Sequence, residues 1–356
     1  MQVLTPSTQS KPRSKVFQSK AVGSVRIGII GHGYWGPNLV RNFHDLPTVD
    51  LVAVCDARED RLRTLAKKFP SIKLTTHYQD LISDRSIDAL VIATPISTHF
   101  EIASKALRAG KHILVEKPLS ATTLQGLALL KLAARSNRIL MVGHTFEYHP
   151  AVLKVAELLK NQELGKLYYI DSVRVNLGLH QSDGQNVIWD LAPHDISIIL
   201  HWVGKTPLRV SAWGQGFVQK GVEDVAFIRL EFPDGVFAHI HLSWIAPSKI
   251  RRMTVVGDKK MVIYDDVESA EKIKIADRSA QLDYSTRDLR VGYRLGDIVS
   301  PRLETTEALS LECAHFVDCI LNNKIPRTDG ERGIQVVRIL EAAEKSVKKG
   351  GKVITL

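Results

Sequence analysis

The chain has 356 residues, 44% of them hydrophobic and 24% charged, which is the composition of a globular protein rather than a disordered or membrane-embedded one. No stretch approaches the roughly 20 apolar residues of a membrane span, so no membrane partner is expected. The formal net charge is +10, but Lys and Arg are scattered among Asp and Glu, which argues against a nucleic-acid partner and suits an anionic small-molecule substrate.

Residues 1–24 differ in composition from the remainder of the chain. They contain Lys and Arg but no Asp or Glu, and they are rich in Ser, Thr, Gln and Pro. Such a segment cannot bury enough apolar surface to order itself, so a disordered basic tail is predicted. Its composition also matches a transit peptide, although the apolar helical face of such a peptide is missing.

Cysteine and histidine usage gives no indication of a metal site. Cys55, Cys313 and Cys319 are odd in number and lack C-x-x-C spacing, so neither a disulfide framework nor a zinc site is indicated, and a cytoplasmic location is expected. His239 and His241 share one face of a predicted strand, but no third ligand is evident and strand packing explains them.

Two domains are expected from the length of the chain. Between residues 25 and 147, apolar runs such as RIGIIG, LVAVCD and DALVIATP alternate with helical patterns. Runs that are apolar on consecutive residues belong to strands covered on both faces, so these residues are predicted to form a Rossmann domain with a doubly wound parallel sheet.

Three glycines follow the first predicted strand in the sequence GHGYWG. Gly31, Gly33 and Gly36 have the spacing G-x-G-x-x-G and precede a helical segment. In a dinucleotide site the first glycine makes a tight turn, the second admits the pyrophosphate to the backbone, and the third lets the helix pack on the strand. The N–H groups at the helix N-terminus then face the phosphates.

Asp56 ends the second predicted strand, where a carboxylate can bind the ribose hydroxyls of the cofactor. A carboxylate there repels a 2′-phosphate, so NAD is predicted in preference to NADP. Arg58 leaves NADP possible, and a helix cap is the alternative interpretation of Asp56.

Two further strand ends carry candidate residues, in ATPISTH from Ala93 to His99 and in VEKPL from Val115 to Leu119. Ligands of such sheets bind at the carboxyl ends of the strands. Lys117 in that position can donate to a substrate hydroxyl and stabilise negative charge on it, whereas a surface Lys would not. Pro118 fixes the backbone there and is compatible with a cis bond.

Residues 148–356 are predicted to form an α/β substrate-binding and oligomerisation domain. Strand-like runs dominate after residue 167, and FPDG between residues 232 and 235 is a hairpin turn. At least six such runs with few helices to cover them leave apolar sheet surface, which predicts a homodimer or homotetramer. Residues 288–302 are interpreted as a loop in which Arg290, Arg294 and Arg302 bind a diphosphate, and a solvated or subunit-contacting loop is the alternative.

The sequence VIWDLAPHDIS places Asp190 and His194 four residues apart, on one face of a helix. Pro193 would be tolerated only within the first turn of that helix. A His held by a carboxylate can act as a general base near neutral pH. A helix cap and a packed core His are the alternative.

The order of these motifs, GHGYWG, CD, ATPISTH, EKP and WDLAPHD, resembles that of the Gfo/Idh/MocA family of oxidoreductases over residues 25–356. The resemblance implies an N-terminal Rossmann domain that binds NAD(P) and a C-terminal α/β domain with a large, open, mostly antiparallel sheet. It also implies that Lys117, Asp190 and His194 are the catalytic residues. The residues implied at the cofactor are Gly31, Gly33, Tyr34, Trp35, Gly36, Asp56, Ala93, Thr94, Pro95, His99 and Glu116.

The segments GYWGPNLVRNF, GHTFEYHP and RVNLG are most similar to those of a sugar-nucleotide dehydrogenase branch of that family. This resemblance implies an NAD-dependent dehydrogenase that acts on the 3-hydroxyl of a UDP-linked amino sugar or its uronic acid. Two alternatives stay open, namely a dehydrogenase of a free polyol or sugar such as inositol, and a catalytically silent NAD-binding regulatory protein.

Overall fold

The computed structural model describes residues 23–178, 185–283 and 290–356. The predicted basic tail at residues 1–24 therefore lies almost wholly outside the described residues. Within those ranges the chain forms two sheets, one entirely parallel and one mostly antiparallel. The predicted α/β fold class is confirmed.

The first sheet has six strands that alternate with five helices. The strands are β1 (Val25–Ile30), β2 (Val49–Cys55), β3 (Lys73–Thr75), β4 (Ala89–Ile92), β5 (His112–Glu116) and β6 (Leu140–Gly143). The helices are α1 (Gly36–His44), α2 (Glu59–Lys68), α3 (Tyr78–Ser83), α4 (Ile96–Arg108) and α5 (Thr123–Ser136).

The strand order β3-β2-β1-β4-β5-β6 is that of a doubly wound Rossmann sheet. All residues of β4 and β6 are buried, as expected for strands covered by helices on both faces. The chain changes direction across the sheet between β1 and β4, which are neighbours. Ligands of such sheets bind at this switch point, beyond the carboxyl ends of the strands.

The second sheet has nine strands. They are β7 (Leu167–Leu177), β8 (Arg209–Gln215), β9 (Val225–Glu231), β10 (Phe237–Ser243), β11 (Ile245–Gly257), β12 (Met261–Asp265), β13 (Ile273–Asp283), β14 (Arg290–Val299) and β15 (Ile354–Thr355). Four helices accompany them, α6 (Pro150–Lys160), α7 (Val187–Val203), α8 (Ala308–Asn322) and α9 (Gly330–Lys348). Short 3-10 turns occupy Thr145–Tyr148 and Pro233–Gly235.

The strand order is β14-β13-β12-β11-β7-β10-β9-β8-β15. β7 and β10 pair in parallel, and the other pairs recorded among the described strands are antiparallel. The FPDG sequence turns between β9 and β10, with positive φ at Asp234 and Gly235. The hairpin predicted there is present.

Helices α7 and α9 cover one face of the second sheet. Ile199 of α7 and Ile339 of α9 lie in one core with Ile228 and Ile240 of the strands. On the opposite face, Trp213 and Phe237 are 50% and 39% exposed. This face, which carries exposed aromatic side chains and the His239–Asp171 ion pair, is therefore open in the single chain.

Helix α8 packs against the first sheet although it follows the second sheet in the chain. Its residues Leu309, Cys313 and Phe316 lie in the same core as Ile27 and Phe43. The C-terminal segment thereby joins the two sheets. No helix within the described residues has the length and apolar character needed to cross a membrane.

The interpretation of residues 288–302 as a loop is wrong. Residues 290–299 form strand β14, which pairs with β13 at the edge of the second sheet. Arg294 forms an ion pair of 2.8 Å with Asp277, and residues 284–289 lie outside the described residues. The alternation of Val291, Tyr293 and Leu295 is the strand pattern that this interpretation overlooked.

Candidate active site

The glycine loop between β1 and α1 requires small residues for steric reasons. Gly31 has φ +103°, and a Cβ there would collide with the carbonyl oxygen of Ala93. A Cβ on Gly36 would lie 2.6 Å from the carbonyl oxygen of Gly31. The first and third glycines are thus required by close packing of the loop on itself and on the end of β4.

Helix α1 begins within this loop. Trp35 is its N-cap residue and makes no side-chain cap hydrogen bond, and Tyr34 is 95% exposed at the tip of the loop. Pro37 follows Gly36 in the first turn, where a missing N–H removes no helical hydrogen bond. The helix N-terminus therefore presents N–H groups and a positive dipole end, which is the arrangement that binds the phosphates of a dinucleotide.

Asp56 at the end of β2 is held against the glycine loop. Its Oδ2 accepts hydrogen bonds from the backbone N–H of His32 (2.7 Å) and from Arg61 Nη1 (3.3 Å), and its Oδ1 accepts one from the backbone N–H of Arg58 (2.9 Å). Arg58, rather than Asp56, is the N-cap residue of α2. The helix-cap alternative is not supported. Arg61 was not singled out from the sequence, because only the turn of α2 brings it back to Asp56.

His99 in α4 connects two strand ends. Its Nδ1 lies 2.9 Å from the carbonyl oxygen of Pro118 and its Nε2 lies 2.7 Å from that of Thr94. Burial lowers the pKa of His99, and the two carbonyl groups oppose this shift. Both ring nitrogens face carbonyl oxygens of the protein, and a neutral imidazole donates to one of them at a time, so His99 lies between the segments that contain Thr94 and Pro118. Ala93 and Pro95 flank Thr94 between β4 and α4.

Lys117 follows β5 and precedes a cis peptide bond to Pro118, which is the bond type that the sequence allowed. Its Nζ donates a hydrogen bond of 3.0 Å to the carbonyl oxygen of Asp190 and lies 3.8 Å from Asp190 Oδ1. Burial lowers the pKa of Lys117, while the carboxylate of Asp190 raises it. The amine of a Lys that follows the first sheet therefore meets a carboxylate of α7.

Glu116 precedes Lys117 and is packed against Gly143. A Cβ on Gly143 would lie 2.9 Å from Glu116 Oε2, and this oxygen also accepts a hydrogen bond of 3.2 Å from the backbone N–H of Lys117. Burial raises the pKa of Glu116 to about 7. Its carboxyl group is therefore buried next to Lys117.

Helix α7 begins at Val187, and Asn186 caps it by accepting a hydrogen bond of 3.2 Å from the backbone N–H of Trp189. The prediction that Pro193 would lie in the first turn is wrong, because Pro193 is inside the helix. Burial of most of α7 against the sheet outweighs the cost of the proline. Asp190 and His194 share one face of this helix, as the spacing predicted.

The expected hydrogen bond between Asp190 and His194 is not found among the described residues. Asp190 Oδ2 instead accepts a hydrogen bond of 3.0 Å from Trp244 Nε1. The ring of His194 contacts Phe146 edge-on with a centroid distance of 5.0 Å, and its Nδ1 is buried without a partner in the described part of the chain. The carboxylate thus orients Lys117, and an aromatic contact orients His194.

A buried ion pair lies beneath His194. The Nε of Arg174 donates a hydrogen bond of 2.9 Å to Asp195 Oδ1, and its guanidinium lies 4.8 Å above the ring of Phe146. The pKa of His194 is well below its ordinary value, because the ring is buried and because Lys117, Arg174 and Arg251 are positively charged. The imidazole is therefore neutral at pH 7. Arg174, Trp244 and Arg251 were not found from the sequence, since strand pairing alone brings them to α7.

A dinucleotide cradle beside a Lys, a carboxylate and a neutral His defines an NAD-binding oxidoreductase with a Rossmann domain. Residues 25–144 match the family model "Oxidoreductase family, NAD-binding Rossmann fold" and residues 152–263 match the C-terminal domain of the same family. The chain belongs to the Gfo/Idh/MocA family. The predicted class, an NAD(P)-dependent dehydrogenase acting on CH–OH groups, is confirmed.

Relatives with different substrates match the chain about equally well. UDP-N-acetylglucosamine 3-dehydrogenase of Acidithiobacillus ferrooxidans is 26% identical over 327 residues, or 88% of this chain and 94% of that enzyme. The solved structure of this enzyme, which is called GnnA, matches with a TM-score of 0.77 and 25% identity. The match covers 92% of this chain and 98% of that chain. Myo-inositol 2-dehydrogenase of Thermotoga maritima is 25% identical over 91% of this chain and 97% of that enzyme.

The NAD cofactor has a structural parallel. GenD2 from gentamicin A biosynthesis, crystallised in complex with NAD, has the same fold with a TM-score of 0.80 and 23% identity, over 98% of this chain and 99% of that chain. The glycine cradle and Asp56 of the present chain fit such a cofactor, and the family model for an NAD-binding Rossmann fold confirms the prediction of NAD.

Proposed function

We propose that the protein transfers a hydride between nicotinamide and a sugar, at the 3-position of a UDP-linked amino sugar or its uronic acid. The observation that carries the hydride transfer is the meeting of Lys117 with Asp190 near the carboxyl ends of the Rossmann strands, with His194 one turn further along the same helix. The choice of a sugar nucleotide is supported by the 26% identity to a UDP-N-acetylglucosamine 3-dehydrogenase. When bound, NAD supplies the acceptor or donor of the hydride. Gly31, Gly36 and Asp56 are assigned to holding it.

Lys117 is assigned to the oxygen of the reacting carbon. Its ammonium group, oriented by the carbonyl oxygen and carboxylate of Asp190, donates a hydrogen bond to that oxygen and stabilises negative charge on it. Trp244 fixes the other carboxylate oxygen of Asp190 through a hydrogen bond of 3.0 Å. Asp190 thereby acts on the substrate through Lys117.

His194 is assigned to proton transfer. Because its pKa is lowered by burial and by neighbouring cations, the imidazole is neutral and free to accept the hydroxyl proton in the oxidation direction. In the reduction direction the same ring returns the proton to the carbonyl oxygen. The neighbouring cations disfavour a long-lived imidazolium, which favours rapid release of the proton.

Substrate identity is tested by steady-state kinetics. We would measure reduction of NAD with UDP-N-acetylglucosamine, its uronic acid, the same sugars without the nucleotide, and myo-inositol. The nucleotide sugars are expected to react fastest, since binding energy from the nucleotide also positions the reacting carbon. Faster reaction with myo-inositol or a free sugar would favour the alternative, a dehydrogenase of a free polyol or sugar. The 25% identity to an inositol dehydrogenase supports that alternative.

The division into a cofactor domain at residues 25–147 and a substrate and oligomerisation domain at residues 148–356 is part of the same proposal. So are the cytoplasmic location and the homodimer or homotetramer. The packing of α8 on the first sheet indicates that the two parts do not fold independently.

A further inference from the structure

Strands β7 and β11 place two arginines side by side. Arg174 and Arg251 are direct partners in the antiparallel register. Arg174 lies on the same face of β7 as Ile170, and Arg251 lies on the same face of β11 as Met253 and Val255. These three apolar residues belong to the core beneath α7. Both arginines therefore extend from the face of the sheet that carries α7 and the candidate site.

The two arginines differ in accessibility. Arg174 is 4% exposed, bound to Asp195 and stacked on Phe146. Arg251 is 34% exposed, and Nη1 donates a hydrogen bond of 3.3 Å to Asp266 Oδ2. The guanidinium of Arg174 is therefore buried against protein groups, whereas part of the Arg251 side chain is exposed to solvent.

Asp266 is an incomplete partner for Arg251. Its Oδ1 accepts a hydrogen bond of 3.2 Å from Tyr264, and its contact with Arg251 involves one nitrogen of a guanidinium that has five N–H donors. Such a contact orients the side chain and leaves donors for a ligand. A carboxylate or phosphate matches the planar fork of Arg by two parallel hydrogen bonds, which a sugar hydroxyl does not.

We propose that Arg251 forms an anion-binding subsite of the active site and recognises a carboxylate or phosphate carried by the sugar substrate. This inference rests on the proposed function and assigns the residue that recognises the anionic group of its substrate. Arg251 pairs in register with Arg174, the guanidinium of Arg174 lies 4.8 Å from the ring of Phe146, and that ring contacts His194, which connects Arg251 to the candidate site. An anion bound there would also offset the positive charge that the ring of His194 experiences.

The test compares Arg251→Gln with Arg252→Gln. Arg252 is the next residue of β11, lies 55% exposed, and pairs with Asp265 at 2.8 Å, so it controls for the loss of one sheet arginine outside the site. Titration calorimetry would measure binding of four ligands to each protein saturated with NADH. The ligands are UDP-N-acetylglucosamine, the UDP-linked uronic acid of the same sugar, free N-acetylglucosamine and myo-inositol.

Arg251→Gln is expected to weaken binding of an anionic ligand by roughly 10- to 100-fold, the range for hydrogen bonds to charged groups, and to leave neutral sugars within about twofold. A loss for the uronic acid alone identifies a carboxylate, and a loss for both nucleotide sugars identifies a phosphate. Arg251→Lys should restore part of the binding. Unchanged NADH binding and melting temperature show that the variants are folded.

The inference is overturned if wild-type protein binds none of the anionic ligands, or if Arg251→Gln weakens neutral and anionic ligands equally or weakens neither. Its failure can be distinguished from failure of the proposed function. A protein that binds the acidic sugar through Arg251 but never reduces NAD with it would disprove the proposed reaction and retain the subsite.

Discussion

The Nζ of Lys117 lies 3.0 Å from the carbonyl oxygen of Asp190 and 3.8 Å from its Oδ1, so one residue orients the amine through both its backbone and its side chain. Lys117 follows the first sheet, and Asp190 belongs to a helix that packs on the second sheet. The reacting group thus depends on how the two halves of the molecule meet.

Replacing Lys117 with Met, or His194 with Ala, should leave NADH binding nearly unchanged and lower kcat by roughly 100- to 10,000-fold, the usual contribution of positioned proton transfer. NADH fluorescence titration and steady-state kinetics would measure the two quantities. Lys105→Met is a matched control, since Lys105 pairs with Glu101 on the surface of α4. A parallel loss of NADH affinity in the Lys117 variant would contradict its assigned role.

Asp190→Asn should alter the pH dependence of the reaction. The carboxylate raises the pKa of Lys117 against the lowering effect of burial, so its removal lowers that pKa further. The ammonium form would then be lost at lower pH, and the basic limb of kcat/KM should move to lower pH. A profile that retains the position of its basic limb would show that Asp190 does not control the charge of Lys117.

Cofactor preference should depend on Asp56 and Arg61. Asp56→Ala removes both the ribose hydrogen bonds and the repulsion of a 2′-phosphate, so the ratio of kcat/KM for NAD to that for NADP should fall. Arg61→Ala should weaken NADPH more than NADH, because the guanidinium lies 3.3 Å from Asp56 and can pair with a 2′-phosphate. Arg63→Ala, on an exposed part of α2, is the control. Equal effects on both cofactors would contradict this assignment.

Glu147 should make the protein less stable as pH rises. Burial raises the pKa of its carboxyl group from 4.5 to about 8, so the folded state binds more protons than the unfolded state between these values. The stabilisation is complete below about pH 4.5 and is lost as pH approaches 8, with a slope of at most about 1.4 kcal/mol per pH unit. Urea unfolding of Glu147→Gln should show a weaker decline over this range. An identical pH dependence in wild type and variant would disprove the shift.

The local parts of the site were predictable from the sequence. A glycine loop, a strand-end carboxylate and a Lys after a strand depend on residues that are close in the chain, so their positions indicated Gly31, Asp56 and Lys117 as candidates, and the family resemblance implied their roles. The partners of these residues depend on tertiary structure. The register of β7 with β11 brings Arg174 to Arg251, and the pairing of Asp190 with Trp244 joins residues 54 apart in the chain. Helical spacing placed Asp190 and His194 on one face but could not show that they bind different neighbours.

The open face of the second sheet should form a subunit interface. Phe227 stacks on His241 at 4.4 Å and Tyr169 stacks on Phe237 at 5.5 Å, on the face opposite to α7 and α9. Together with Trp213, which is 50% exposed, they make a broad aromatic surface that a second copy would remove from water.

Light scattering at micromolar concentration should give a multiple of 39.7 kDa, and the double variant W213E/F237E should shift the mass toward one chain while retaining NADH binding. Tyr34→Glu, at an exposed position far from this sheet, should leave the mass unchanged. A wild-type mass near that of one chain would contradict the prediction and leave the aromatic face without an assigned role.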